Sequence, residues 1–124
     1  MRRVVIESPF AGDIAGNVLY ARHAMRDSLD HGEAPIASHL IYTQPGILDD
    51  TIDKERDQGI QAGYEWMHAS DLVAFYVDRG WSKGMLRALK MARILKKPVE
   101  VRSLSGNTAI TDEFAKKFLE DWPT

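Results

Sequence analysis

The chain has no cysteine among its 124 residues. That excludes a disulfide framework, a thiol nucleophile and thiolate metal sites together. It has no apolar run long enough to cross a membrane, and the apolar part of its N-terminus, Val4-Val5-Ile6, is too short for a signal peptide. An excess of one charge is missing too. The 16 Lys+Arg and 18 Asp+Glu leave a net charge of −2, which gives no general affinity for DNA or RNA. The four histidines (His23, His31, His39, His68) lack metal-ligand spacing. Neither a Gly-x-x-x-x-Gly-Lys nor a Gly-x-Gly-x-x-Gly loop occurs. These absences leave the expectation of one soluble, cytoplasmic domain over residues 1–124, with no membrane or bulk nucleic-acid partner, no metal and no cofactor.

Alternating strand and helix signals are what the chain does contain. Arg3 to Glu7 is a short β-branched run ending at Ser8-Pro9, as in a strand buried on both faces. Asp13 is placed to cap a helix in which Ile14, Val18, Ala21, Met25 and Leu29 recur at helical spacing, closed by Gly32. Pro35 to Tyr42 reads as a second strand, with Ile36, Leu40 and Ile41 as its apolar part. Thr43 to Asp50 reads as a loop, after which Thr51 or Asp53 caps a helix to about Ala69, with Ile52, Ile60, Trp66 and Met67 inward. Asp71 to Val77 is the clearest strand. A helix follows from about Met85 to Leu95, with Met85, Ala88, Leu89, Ala92 and Leu95 on one face. Lys97-Pro98 stops it, Val99 to Leu104 is a fourth strand, and Thr111 or Asp112 opens a last helix with Phe114, Phe118 and Leu119 turned inward.

This order predicts an α/β fold: a flavodoxin- or Rossmann-like three-layer sandwich, with a four- to five-stranded parallel sheet and helices on both faces. Ligands of such sheets lie beyond the carboxyl ends of the strands, where the strand order reverses. Three loops end there, Ser8–Asp13, Leu40–Asp50 and Asp78–Gly84. In the first, the Ser8 hydroxyl, the Gly12 backbone and the Phe10 ring suit a ligand with a sugar and a flat base; taken alone, the segment reads more simply as an ordinary Pro/Gly loop. In the third, Ser82, Gly84 and Met85 open a helix whose free amides suit an anion, or form a plain capped turn. His39 stands near the predicted cleft, or is a hydrogen-bonded strand histidine. Glu55 and Arg56 either pair at the surface or reach the site. Residues 79–97 hold seven cations and no carboxylate. Within them Lys83, Arg87 and Lys90 form a stripe opposite the apolar helix face, the pattern of a solvated surface.

Taken in order, Ser8-Pro9-Phe10-x-Gly12, Asn17, Tyr20-Ala21-Arg22, Gly32-x-x-Pro35-Ile36-x-x-His39-Leu40, Asp49-Asp50, Glu55-Arg56-x-x-Gly59, Asp71, Ser82-x-Gly84-Met85 and Lys97-Pro98-Val99 resemble the nucleoside 2-deoxyribosyltransferase superfamily. The likeness is to a small branch found in bacteria and phages, and it extends over about residues 3–101. It implies cleavage or exchange of the N-glycosidic bond of a nucleoside or nucleotide, usually by a homo-oligomer in which a neighbouring subunit completes the pocket. It also implies a Glu nucleophile in the first turn of the helix after strand 3, attacking the anomeric carbon with the logic of a retaining glycosidase.

That position is Ala88. A methyl group cannot attack an anomeric carbon, although Ser82-x-Gly84-Met85 before it is intact. Two explanations stand: a Glu→Ala change made to trap substrate, or a protein that binds a nucleotide without turning it over. The resemblance departs elsewhere as well. The branch often has Tyr-Arg-Gly where this chain has Phe10-Ala11-Gly12, which removes an Arg able to grip phosphate bidentately. Gly63 stands where some relatives carry a sugar-positioning Asp, leaving Glu55, Arg56 or His39 as substitutes. The expected substrate-binding residues are therefore Ser8, Pro9, Phe10, Gly12, Asn17, His39, Glu55, Arg56, Ser82, Gly84 and Met85, around the catalytic position Ala88. Trp66, Trp81, Trp122, Tyr64 and Phe10 are many large aromatics for a small interior, which points to an interface in a dimer or larger assembly.

Overall fold

A computed structural model describes residues 1–105 of the chain. The elements run β1 (Arg3–Glu7), α1 (Ile14–Asp30), β2 (Ala34–Ile36), α2 (Ser38–Ile41), α3 (Asp53–Ala69), β3 (Leu72–Tyr76), α4 (Lys83–Ile94) and β4 (Val99–Arg102). Among the described residues the four strands form one parallel sheet in the order β2-β1-β3-β4. The expected last helix and Trp122 lie outside the described residues.

Strand alternation divides the core in two. Val4, Ile6, Ala74 and Tyr76 face α1 and pack on Tyr20 and Ala24. Val5, Val73 and Phe75 face the other way, onto Met67 of α3 and Met85, Ala88, Leu89 and Ala92 of α4. β3 is buried along its whole length, as its unbroken apolar run requires. The result is the expected three-layer sandwich.

Three elements depart from expectation. The helix α1 buries Asn17, Tyr20, Ala21, Ala24 and Ser28, while Ile14 and Leu29 are 49% and 55% exposed. Apolar periodicity finds Ala21 and Met25 but misses the rest of this face, because three of its residues are polar with fixed partners. Asn17 Nδ2 donates to the carbonyls of Phe10 and Ala11 at 3.0 and 3.1 Å. Tyr20 donates its hydroxyl to Asp78, and Ser28 donates to Glu33. The second strand, expected to run to Tyr42, ends at Ile36 and gives way to α2. Pro35 fits only because β2 is an edge strand. Beyond it the chain closes on itself, Tyr42 N–H donating to the Ser38 carbonyl and Gln44 Nε2 to that of Leu40. Ile52 and Trp66, read as inward, are about half exposed; Trp66 instead donates its indole N–H to the Tyr42 hydroxyl at 2.6 Å.

Glu33 ties the α1 face together. It is buried and accepts two bonds from Arg102 at 2.8 Å, one from Ser28 at 2.8 Å and one from Arg2 at 2.6 Å. The Arg102 guanidinium is the main cause holding its carboxyl down to about 2. The stabilisation is therefore present above the unfolded value of 4.5 and fades as pH falls toward 2. Glu33→Ala, which leaves the nearly buried Arg102 with Glu100 as its remaining carboxylate partner among the described residues, should cost about 3 kcal/mol. Thermal unfolding should show a Tm lower by roughly 10–20 °C. The double variant Glu33→Leu with Arg102→Met should recover much of that loss, because no charge is then left unpaired.

Candidate functional site

Because β1 pairs with β3 on one side and β2 on the other, the loops after β1 and β3 leave in opposite directions. The crevice between them opens into a cavity of about 310 Å³. The β1 end supplies Glu7, Ser8, Phe10 and Ala11; the start of α4 supplies Ser82 to Met85, Arg87 and Ala88. Ser38 and His39 of α2, Asp50, and Arg56, Ile60, Gly63 and Tyr64 of α3 complete the wall.

Each part has a local cause. Gly80, at φ 87°, makes the turn after β3 that only glycine adopts without strain. Ser82 caps α4, its Oγ accepting from Met85 N–H at 3.1 Å. The loops on either side of the crevice are joined by Arg79, which donates to the Asp13 carboxylate at 2.9 Å. At Asp78, two residues beyond β3, desolvation works to raise the carboxyl, but the bonds it accepts from Tyr20, Ser103 and the amides of Leu104 and Ser105 together outweigh it and hold the group far below the usual range. Ser8 Oγ lies 3.0 Å from Nε2 of His39, whose ring meets Phe10 edge-on at 6.2 Å. Burial pulls His39 down to about 4, so the imidazole is neutral at physiological pH.

Of the residues expected from sequence, Ser8, Phe10, His39, Arg56, Ser82, Gly84, Met85 and Ala88 meet at this cavity. Pro9, Gly12, Asn17 and Glu55 do not line it. Asn17 braces the β1–α1 loop from behind, and Glu55 lines a smaller neighbouring pocket, where it accepts from the Asp49 amide. His39 sits in α2 rather than on a strand, and Ala88 in the second turn of α4 rather than the first. Lys83 and Arg87, read as part of a solvated stripe, edge the cavity.

Sequence reasoning missed Glu7. It is the last residue of β1, and alternation from Val5 turns it toward α3 and α4. That alternation was the available signal. Burial raises its carboxyl from 4.5 to about 8, and Tyr64 is raised by its own burial first and by the Glu7 charge second. Asp50, Ser38 and Tyr64 were not expected at the cavity either.

A parallel four-stranded sheet with its cavity at the strand-order reversal is the general class that fold and site define. The chain belongs to the family described as domain of unknown function DUF7768, which matches residues 2–102. Among solved structures it is similar to a 2-deoxyribosyltransferase from the psychrotolerant bacterium Bacillus psychrosaccharolyticus. The identity is 23% and the TM-score 0.60, over 89% of this chain and 80% of that one, a likeness of fold. No curated protein matches the chain.

Glu7 binds more protons folded than unfolded, so its contribution to stability is whole below 4.5 and is lost as pH rises through about 8. His39 works in the opposite sense, losing stability as pH falls from 6.5 toward 4. In urea titrations, Glu7→Gln should therefore be the more stable protein at pH 8.5 by roughly 1–4 kcal/mol, the gap closing by pH 5.

Proposed function

We propose that the cavity binds a nucleoside or nucleotide and acts on its N-glycosidic bond, with the covalent route through position 88 closed by alanine. The observation carrying this reading is convergence. Ser8, Phe10, His39, Ser82, Gly84 and Met85, which resemble the deoxyribosyltransferase pattern, line one cavity with Ala88. The space suits a ligand the size of a nucleoside. Phe10 offers a flat surface for a base, and buried Ser8 with neutral His39 offers hydrogen bonds. Arg56, Lys83 and Arg87 place three cations around the cavity, near the start of α4, where a phosphate is favoured.

A second reading is capture without turnover. Ala88 favours it, being 3% exposed and carrying no group able to react. In either case a homo-oligomer belongs to the proposal, since Trp66 and Ile52 leave apolar surface exposed on α3 and at its entrance.

Calorimetry with a panel of nucleosides and their 5′-monophosphates is the primary test. Binding is expected, tighter for the monophosphates and weaker with added salt, and Arg87→Ala should cost the monophosphates roughly 5–10-fold in affinity. Ala88→Glu should add base release through a glycosyl-enzyme ester, detectable by mass spectrometry. No binding to any member of the panel overturns both readings. Binding without base release from the wild type or the folded Ala88→Glu variant leaves capture alone.

A further inference from the structure

We propose that Glu7 is a catalytic residue of the cavity, the acid that protonates the departing base and then the base that deprotonates the attacking water. This rests on the N-glycosidic reading above.

Position carries the argument first. Glu7 ends β1 on the face that Val5 shares with α3 and α4, and its register partner is Phe75, part of the apolar layer against Met85, Ala88 and Leu89. Its carboxyl therefore belongs to the sheet floor of the cavity that Ala88 lines from the helix side. A carboxyl lost from the helix has a counterpart on the facing strand.

Partnership carries it second. Glu33, Asp13, Asp71 and Asp78 each accept hydrogen bonds from arginine, hydroxyl or backbone groups. Among the described residues no hydrogen bond or ion pair engages Glu7, although Arg56, Lys83 and Arg87 edge the same cavity. His39, Asp50 and Tyr64 are the other titratable groups around it. An unpaired carboxylate in apolar surroundings is costly, and burial keeps this one protonated up to about pH 8. A poised acid facing a ligand-sized space is the usual mark of proton-transfer chemistry. Asp50 also lines the cavity but belongs equally to the neighbouring pocket, away from the sheet floor.

The step balances with water as the only co-reactant. The bond from the anomeric carbon to the base nitrogen breaks, its electron pair stays on the base, and the Glu7 proton moves to a base nitrogen. Water then bonds to the electron-poor anomeric carbon and its proton returns to the Glu7 carboxylate. The products are free base and free sugar or sugar phosphate. No ester on the protein is needed, as suits an alanine at position 88.

Base release is measured by chromatography for wild type, Glu7→Gln, Glu7→Asp and Asp50→Asn, over pH 5 to 9.5, with calorimetric affinities alongside. Circular dichroism checks that each variant folds. The wild type should release base at a rate that falls above about pH 8. Glu7→Gln should lose about 100-fold or more in kcat, with affinity changed only a few-fold and the alkaline limb gone. Glu7→Asp should recover part of the rate, and Asp50→Asn, whatever its rate, should keep the alkaline limb. If wild type releases base and Glu7→Gln does too, or Asp50→Asn alone loses the alkaline limb, the role of Glu7 is overturned while the glycosidic reading stands. If wild type binds nucleotides and releases no base at any pH, Glu7 is no acid here and capture is what remains. If nothing binds, both fall.

Discussion

Everything in this protein that bears on a ligand follows from the parallel pairing of β1 with β3, two strands that are not consecutive in the chain. Val4 to Glu7 lies in register with Leu72 to Phe75, and the intervening strand is displaced to the outer edge. The chain accepts this arrangement because both segments are apolar on both faces and only an interior position hides them. Once they pair, their outgoing loops diverge and a crevice is unavoidable. The same register brings Glu7 alongside Phe75, at the base of that crevice.

The polar residues divide by the work their partners do. On the α1 face, Glu33, Arg102, Tyr76 and Asp27 bind one another, and burial there is satisfied within the protein. On the α3 and α4 face the layer is almost wholly apolar until it reaches the cavity, where the carboxyl of Glu7 has no match among the described residues. Two glutamates thus have opposite electrostatic fates: a guanidinium draws the proton off buried Glu33, and desolvation keeps it on the partly buried Glu7. The cations closest in function to Glu7 stand around the cavity, where solvent screens them.

Much of this was legible in the sequence. The run Leu72 to Tyr76, the Asp13 cap and the α4 stripe of Met85, Ala88, Leu89 and Ala92 declare themselves through local pattern alone. What was hidden depended on partners distant in the chain. Asn17, Tyr20 and Ser28 are polar yet inward because Phe10, Asp78 and Glu33 meet them, so apolar counting displaced the buried face of α1. Leu40 and Ile41 look like strand residues, yet an edge strand interrupted by Pro35 gains little by continuing. Glu7 was overlooked because a charged residue closing an apolar strand ordinarily reaches solvent. Here the neighbouring helices cover it. Lys83 and Arg87 were misjudged for the converse reason: a stripe on an isolated helix looks solvated until a facing loop makes one end of it a wall.

Gly63 has a consequence for the shape of the cavity. A β-carbon there would stand 2.8 Å from Ser38 Oγ, so α2 rests directly on the bare backbone of α3. The residue after Ser38 is His39, which is bonded to Ser8 across the crevice. Position 63 therefore acts as a shim. A larger side chain there would press on Ser38, and turning that serine or shifting the short helix would disturb the neighbouring imidazole and its bond to Ser8. The shape of the pocket's mouth is thus set partly by a residue that offers no side chain to it.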